Sequence, residues 1–184
     1  MSEKRRLVIG SAATITLRTR AEGLLARLAH DLELSSAEVS GHVELDVDGD
    51  AWTAELSVPV ASLRVVGALH GDAVDSAVLS AAARAQIEQK MREDVFFGGA
   101  RVVTATARGA SRSSGEATIA IASRSQRVTF PVSAAGLADG TLRPAGRFTL
   151  SLDALGVKPI KGPLGAFRVK DAIDISFAIL LVSA

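Results

Sequence analysis

Alternation of apolar and polar residues is the clearest pattern in the chain, and it is strongest between positions 146 and 182. In the first part of this stretch, Phe148, Leu150 and Leu152 alternate with polar residues. Further along, five apolar residues recur at every second position, namely Ile173, Ile175, Phe177, Ile179 and Leu181. Because side chains of a strand point alternately to its two faces, the pattern predicts two half-buried strands. Glycines and prolines between positions 156 and 165 predict a turn region that separates them.

The same alternation predicts strands over most of the remaining chain. We expect them at residues 13–19, 32–40, 41–47, 52–60, 100–107, 118–122 and 127–133. Turns or connections are expected at 48–50, 109–115, 123–126 and 134–144, where glycine, serine or aspartate is frequent. Residues 61–66 show no alternation and are predicted to be irregular, and residues 67–75 are predicted to form a loop.

Residues 76–94 form the one segment with a convincing helical period. Apolar residues recur every four positions across it, and most of the intervening residues are good helix formers. Asp75 or Ser76 is expected to cap this helix. The shorter segment 21–29 is rich in leucine and alanine and predicts a short helix or turn.

Together these segments predict an all-β fold, because about eight strands follow each other without the strand–helix rhythm of a parallel sheet. Closing an antiparallel sheet on itself removes its unpaired edges, and about eight strands can enclose a small ligand. A chain of this length can bury roughly 70% of its unfolded surface, which suits one domain. We therefore expect a single domain over residues 1–184. It would be an antiparallel eight-stranded barrel, with the main helix and the 21–29 segment covering one end.

Composition and charge remove several classes of partner. The 21 Lys and Arg residues nearly balance the 20 Asp and Glu residues, so no nucleic-acid partner is expected. The chain has no cysteine, which excludes disulfides, thiolate metal sites and a cysteine nucleophile, and fits a reducing compartment. No stretch reaches the ~20 apolar residues of a membrane span, so no integral membrane segment is expected. The N-terminal residues lack the apolar run of ~7–15 residues of a signal peptide, and a cytoplasmic location is expected.

Five segments spread over nearly the whole chain are informative through their order and spacing. They are residues 29–32 (AHDL), 61–65 (ASLRV), 87–97 (IEQKMREDVFF), 115–132, which end in RVTFPV, and 155–159 (LGVKP) with 165–171 (GAFRVKD). In this order they resemble the YceI-like family, which comprises lipocalin-like, polyisoprenoid-binding proteins. Two features depart from the family pattern. Gly98 and Gly99 stand where members usually carry a proline after the phenylalanine bend, and the chain shows no export signal although many members are exported.

The resemblance implies a lipocalin-like barrel of eight antiparallel strands, with helices at one end and a long apolar cavity. It also implies capture of an isoprenoid chain or a similar fatty amphiphile, without catalysis. Because of the missing proline, the strand after residue 99 is expected to begin differently from that of family members.

The inward strand faces carry this binding hypothesis, since an apolar chain gains about 0.8 kcal/mol per buried CH₂ and needs no polar partner along its length. The candidate wall residues are Leu17, Leu45, Leu56, Val58, Ile119, Ile121, Phe130, Phe148, Leu150, Ile175, Phe177 and Ile179. Phe96 and Phe97 are expected near the end of the cavity, and His30 near its opening. Few aromatic residues and many alanines and valines favour free space inside the barrel.

The alternative is that these side chains fill each other's space, because a strand pattern does not report volume. The barrel would then act as a structural or protein-interaction module without a small-molecule ligand. Its outer strands or the helix at 76–94 would form the interface of a homodimer. A dry, fully packed interior would favour this alternative.

Other polar residues suggest little further chemistry. His42 lies on the polar face of its strand and His70 in a predicted loop, so both are expected to face solvent and no metal site is expected. No nucleophile motif, paired carboxylates or phosphate loop is found, so neither a cofactor nor enzymatic activity is expected. Lys158 and Lys161 flank the last loop, where they either attract an anionic headgroup or are simply solvated.

Replacing Val58 by tryptophan distinguishes the two interpretations of the interior. If Val58 lines a cavity, the added ring occupies part of that space, and the variant should keep its fold while losing uptake of an apolar fluorophore. In a filled core, the same ring would destabilise the barrel by about 1–3 kcal/mol or more. Thermal unfolding and fluorophore titration of Val58→Trp measure the two effects separately.

Overall fold

The computed structural model describes residues 3–26, 29–47, 49–136 and 141–184. Among these residues it contains fifteen strands and one α-helix. The strands are β1 (Lys4–Ile9), β2 (Thr14–Thr19), β3 (Ala21–Glu22), β4 (Asp31–Ser36), β5 (Ser40–Asp46), β6 (Trp52–Pro59), β7 (Arg64–His70), β8 (Ala73–Asp75), β9 (Val102–Ser111), β10 (Ser114–Ile121), β11 (Arg124–Gly136), β12 (Leu142–Ser151), β13 (Arg168–Val169), β14 (Ala172–Ala178) and β15 (Leu181–Ser183). The helix α1 spans Ala81–Asp94.

Eight antiparallel runs of strand form a closed ring. Four of these runs bend, and each consists of two consecutive strands: β1 with β2, β4 with β5, β6 with β7, and β14 with β15. The other four are the single strands β9, β10, β11 and β12. Each run pairs with the next run along the chain, and the ring closes where β1 and β2 pair with β15 and β14. The prediction of an all-β, eight-stranded barrel with one main helix is therefore confirmed.

A small additional sheet links two connections at the same end of the barrel. Strand β3 pairs with β13, with Glu22 opposite Arg168 and Ala21 opposite Val169. The side chains of Glu22 and Arg168 also form an ion pair at 2.6 Å. The segment between β2 and β4 is thereby held against the segment between β12 and β14.

The bend between β6 and β7 is held by a small polar network. Pro59 ends β6 because it has no N–H for the ladder, and a 3₁₀ turn at Val60–Ser62 redirects the chain. The Ser62 hydroxyl donates to the Pro59 carbonyl oxygen at 2.7 Å, and the Ser36 hydroxyl donates to Ser62 at 2.6 Å. Ser36 also accepts the N–H of Glu38, so the one buried polar side chain among the described residues has its hydrogen bonds satisfied.

Apolar side chains cover the inner face of the ring from end to end. The cluster at one end consists of Leu7, Ala13, Val43, Ala54, Ile179 and Leu181. The cluster at the end near α1 consists of Val60, Leu63, Phe96, Ile121, Leu155 and Val157. A third cluster lies along β10 and β11 and consists of Ala117, Ile119, Val128 and Phe130. These contacts give the wall its hydrophobic stabilisation.

Several predicted loops contain regular strand. The segments 61–66 and 67–75 include β7 and β8, so the predictions of irregular structure and of a loop there were wrong. Strand β7 shows no alternating pattern because neighbouring residues on both of its faces are buried, and α1 packs beside it. The predicted turn at 109–115 is also shorter, since β9 continues to Ser111 and β10 begins at Ser114.

The main helix begins later than predicted. The Ser80 hydroxyl accepts the N–H of Ala83 at 3.1 Å and caps α1 at its start, whereas the Asp75 carboxylate accepts the N–H of Ala77 in the preceding turn. The 21–29 segment begins as strand β3. Residues 27 and 28 of that segment lie outside the described residues, as do residue 48 of the predicted turn and residues 137–140 of the predicted connection.

A substitution of Leu7 tests how much the packing of this side chain on β1 contributes to the stability of the barrel. Its side chain is 0% exposed on β1, between β5 and β15. We expect Leu7→Ala to lower the free energy of unfolding by about 2–5 kcal/mol, because it leaves a hole in a packed wall. Leu24→Ala is the matched control, at a side chain that is 99% exposed, and should leave the urea midpoint unchanged. Equal shifts for the two variants would contradict this packing.

Candidate ligand cavity

The ring of strands encloses a large cavity. Its volume is about 1220 Å³, which exceeds the range of about 300–1,000 Å³ that is usual for small-molecule sites. All eight runs of the barrel contribute apolar side chains to its wall, and α1 contributes Ile87 and Met91 at one end. The interior of the barrel is therefore not filled by its own side chains.

The structure brings fourteen of the fifteen candidate residues to this cavity. They are Leu17, His30, Leu45, Leu56, Val58, Phe96, Ile119, Ile121, Phe130, Phe148, Leu150, Ile175, Phe177 and Ile179. Alternation placed the strand residues correctly because each wall strand turns every second side chain inward. That these residues contact a ligand remains a prediction.

Phe97, which was expected near the end of the cavity, is the exception, because it is not among the residues that line the cavity. The chain reverses direction after α1, and Phe97 adopts a positive φ of 55° in this bend. As a result Phe96 is 3% exposed and lines the cavity, whereas Phe97 is 39% exposed. The Phe97 ring instead lies 5.3 Å from the guanidinium carbon of Arg124, a cation–π contact on the outside of the barrel.

Aromatic rings concentrate on one side of the wall. The Phe130 ring centroid lies 5.7 Å from that of Phe148 and 5.6 Å from that of Phe177, the second pair being edge-to-face. These are favourable geometries for aromatic pairs, and each pair contributes about 0.5–1.5 kcal/mol beyond the area it buries. The three rings give this side of the cavity a rigid wall.

Trp52 forms the cavity wall at the end of the barrel opposite α1. Its indole N–H donates to the Ser111 carbonyl oxygen at 2.9 Å. The ring lies directly over Gly115, where an added Cβ would come within 2.7 Å of the indole. A glycine that the sequence pattern assigned to a turn is thus required inside β10 by the close approach of Trp52.

Helix α1 lies across the other end with none of its residues fully buried. Ile87 and Met91 face the cavity, and the Glu88 carboxylate accepts the backbone N–H of Val65 at 3.0 Å. This hydrogen bond anchors the middle of the helix to β7. The helix thus covers the cavity with a narrow apolar stripe, Ile87 and Met91, and is attached to the barrel by the hydrogen bond of Glu88.

Among the described residues, four cationic or ionisable side chains line the cavity at the α1 end, and a fifth lines the opposite end. Arg20, His30, Lys90 and Lys161 lie at the α1 end, on α1 or in the connections around it, and Arg112 lies in the turn between β9 and β10. Sequence analysis singled out only His30 and Lys161 among them. The other three were missed because single cations scattered along a chain form no local pattern.

The remaining polar candidates lie outside the cavity lining. His42, His70 and Lys158 do not contribute to it, and His70 and Lys158 are exposed. In the part of the chain that the structure describes, no three His, Asp or Glu side chains come close enough together to hold a metal ion. No helix among the described residues has the length and apolarity needed to cross a membrane.

A closed antiparallel barrel with an apolar interior and a helix across one end is a lipocalin-like barrel fold. Searches with the sequence found no matching family model and no matching curated protein. Comparison of the fold with solved structures, in contrast, found proteins of the same architecture.

One is BcnA of Burkholderia cenocepacia, with a TM-score of 0.63 and 18% identity over 93% of this chain and 96% of BcnA. Another is a polyisoprenoid binding domain from Saccharophagus degradans implicated in plant cell wall breakdown. It has a TM-score of 0.62 and 8% identity over 99% of this chain and 100% of that domain. The resemblance to the YceI-like family is thereby confirmed at the level of the fold, which is what identities this low can establish.

Glu88→Ala tests the anchoring of α1. Loss of the carboxylate leaves the Val65 N–H without its acceptor, and we expect the variant to lose about 1–3 kcal/mol of stability. Hydrogen exchange should quicken at Val65 and along Ala81–Asp94. Glu93→Ala is the matched control, because Glu93 is exposed on the same helix and its carboxylate accepts a hydrogen bond from the Gln89 side chain instead of from β7. Unchanged exchange in Glu88→Ala would show that the helix is held by its apolar contacts alone.

Proposed function

We propose that this protein binds or carries an isoprenoid or another lipid-like amphiphile in the cavity of its barrel. The observation that carries the proposal is an apolar space of about 1220 Å³ enclosed by all eight runs of the barrel. A protein of this size gains stability by filling its interior, since unfilled space forfeits dispersion contacts. An interior left open on this scale is best explained by an occupant.

The chemistry of the wall supports a long apolar chain as that occupant. The middle of the wall consists of aliphatic and aromatic side chains such as Leu56, Ile119 and Phe177. Each CH₂ that leaves water for this surface contributes about 0.8 kcal/mol, so affinity should rise with chain length until the space is full. Polar side chains lie at the two ends, where a headgroup would lie.

The structural relatives support the same class of ligand. The Saccharophagus degradans protein is described as a polyisoprenoid binding domain, and this chain matches its whole length in fold. At 8% identity the likeness concerns the fold, and the ligand of this chain is to be identified by experiment.

The second candidate function, a structural or protein-interaction module with a filled core, is disfavoured by the cavity itself. Its homodimer interface remains a prediction, as do the cytoplasmic location, the single-domain organisation over 1–184 and the absence of enzymatic activity. Size-exclusion chromatography with light scattering measures the oligomeric state directly.

Native mass spectrometry before and after organic extraction tests the proposed function. We expect copurified lipid in the first spectrum, and uptake of farnesol and geranylgeraniol by the extracted protein, with tighter binding of the longer alcohol. An empty protein that takes up neither alcohol would refute the proposal.

A pair of alanine variants tests whether the barrel interior is the site. Ala105 lines the cavity and lies opposite Leu56 and Ile119, whereas Ala120 is on the neighbouring strand and outside the lining. Ala105→Trp should weaken binding of the longer alcohol most, because it shortens the available space. Ala120→Trp should bind both alcohols as the unmodified protein does.

A further inference from the structure

The charged side chains that line the cavity all have the same sign. Among the described residues they are Arg20, Lys90, Arg112 and Lys161, together with the ionisable His30, and no aspartate or glutamate lines the cavity. The chain as a whole is nearly neutral, with 21 basic and 20 acidic residues, so this bias does not follow from composition. It is a property of the cavity and its ends.

Four of these side chains line the cavity at the α1 end, although they come from three separate parts of the chain. Arg20 follows β2 and His30 precedes β4, so both belong to the connection that carries β3. Lys161 belongs to the connection that carries β13, where it bridges to Arg168, and Lys90 lies on α1. Because β3 pairs with β13, the two connections are held side by side. We call the set Arg20, His30, Lys90 and Lys161 the cationic mouth.

Neighbouring carboxylates neutralise only part of the cationic mouth. Arg20 pairs with Asp31 at 3.5 Å, and Lys90 pairs with Asp94 at 2.5 Å. No hydrogen bond or ion pair joins the side chain of His30 or Lys161 to any other described residue. The mouth therefore presents donors that are not used within the described part of the chain.

We propose that the cationic mouth binds the anionic headgroup of a single-chain amphiphile whose apolar tail lies in the barrel. This inference rests on the proposed function and names the ligand class, a carboxylate or a phosphate on a long hydrocarbon or prenyl chain. Lys161 donates to the headgroup oxygens, His30 provides a second donor beside it, and Arg20 and Lys90 add positive potential. Hydrogen bonds of this kind between charged groups are roughly twice as strong as neutral ones.

Such a headgroup would also set the direction of the ligand. The tail would point from the mouth toward Trp52 at the opposite end, passing the ring cluster of Phe130, Phe148 and Phe177. A neutral alcohol of the same chain gains the same apolar burial but makes weaker contacts at the mouth. The difference in affinity between the anionic amphiphile and the alcohol therefore measures the contribution of the cationic mouth to binding.

Competition against the neutral fluorophore N-phenylnaphthylamine measures this difference. The probes are two pairs matched in chain, oleate with oleyl alcohol and geranylgeranyl phosphate with geranylgeraniol, each used below its aggregation concentration. We expect at least one anionic probe to bind about tenfold more tightly than its alcohol at low ionic strength. Salt should reduce that preference, because the mouth is partly exposed. Preference in only one pair would identify the headgroup as carboxylate or phosphate and would support the proposal.

Lys161→Gln should remove most of the preference for the anion, because it lowers the affinity for the anionic probe much more than the affinity for the alcohol. Lys158→Gln is the matched control, since Lys158 is exposed on the same connection but does not line the cavity. Equal affinity for acid and alcohol in the unmodified protein would overturn the cationic mouth while leaving the proposed function intact. Failure of all four probes to bind would refute the proposed function and the cationic mouth together. If Lys161→Gln and Lys158→Gln lose the preference for the anion equally, the preference arises from general surface charge. That result would also overturn the proposal.

Discussion

Antiparallel sheets leave unpaired N–H and C=O groups along their first and last strands, and here those two edges pair with each other. Val8 lies opposite Val182 where β1 meets β15, and Ile15 lies opposite Phe177 where β2 meets β14. Once the ring is closed, every inward side chain faces the same enclosed space. The apolar wall, the cavity and the need for a cover at each end all follow from this closure.

The size of the side chains on the inner face decides whether the closed ring is solid or hollow. Ala54, Ala105, Ala107 and Ala117 occupy wall positions where larger residues would reach the barrel axis. The chain has six phenylalanines and one tryptophan, and the two aromatic ring pairs of the wall lie on one side. Much of the interior therefore has no side chain to fill it. Without a ligand, the wall residues lack the dispersion contacts that a filled core would give them, and this lowers the stability of the protein.

The sequence pattern could predict those strands that have one face toward solvent and the other toward the barrel interior. Strands such as β12 and β14 alternate cleanly for that reason, and their inward residues reached the cavity as predicted. Strand β7 is covered on both faces and showed no pattern, and Phe96 and Phe97 differ only through a backbone bend that composition does not report. The cationic mouth was equally hidden, because Arg20, Lys90 and Lys161 come to the same end of the cavity only through the tertiary fold.

The pairing of β1 with β15 also has a consequence for how the protein is made. Leu7 is translated early and its partner Ser183 late, so the ring stays open while nearly all of the chain is synthesised. Contacts this distant in sequence slow folding, and an open sheet exposes its apolar face and free edges until they form. The interior becomes an enclosed cavity only when these strands, which are distant in sequence, have paired.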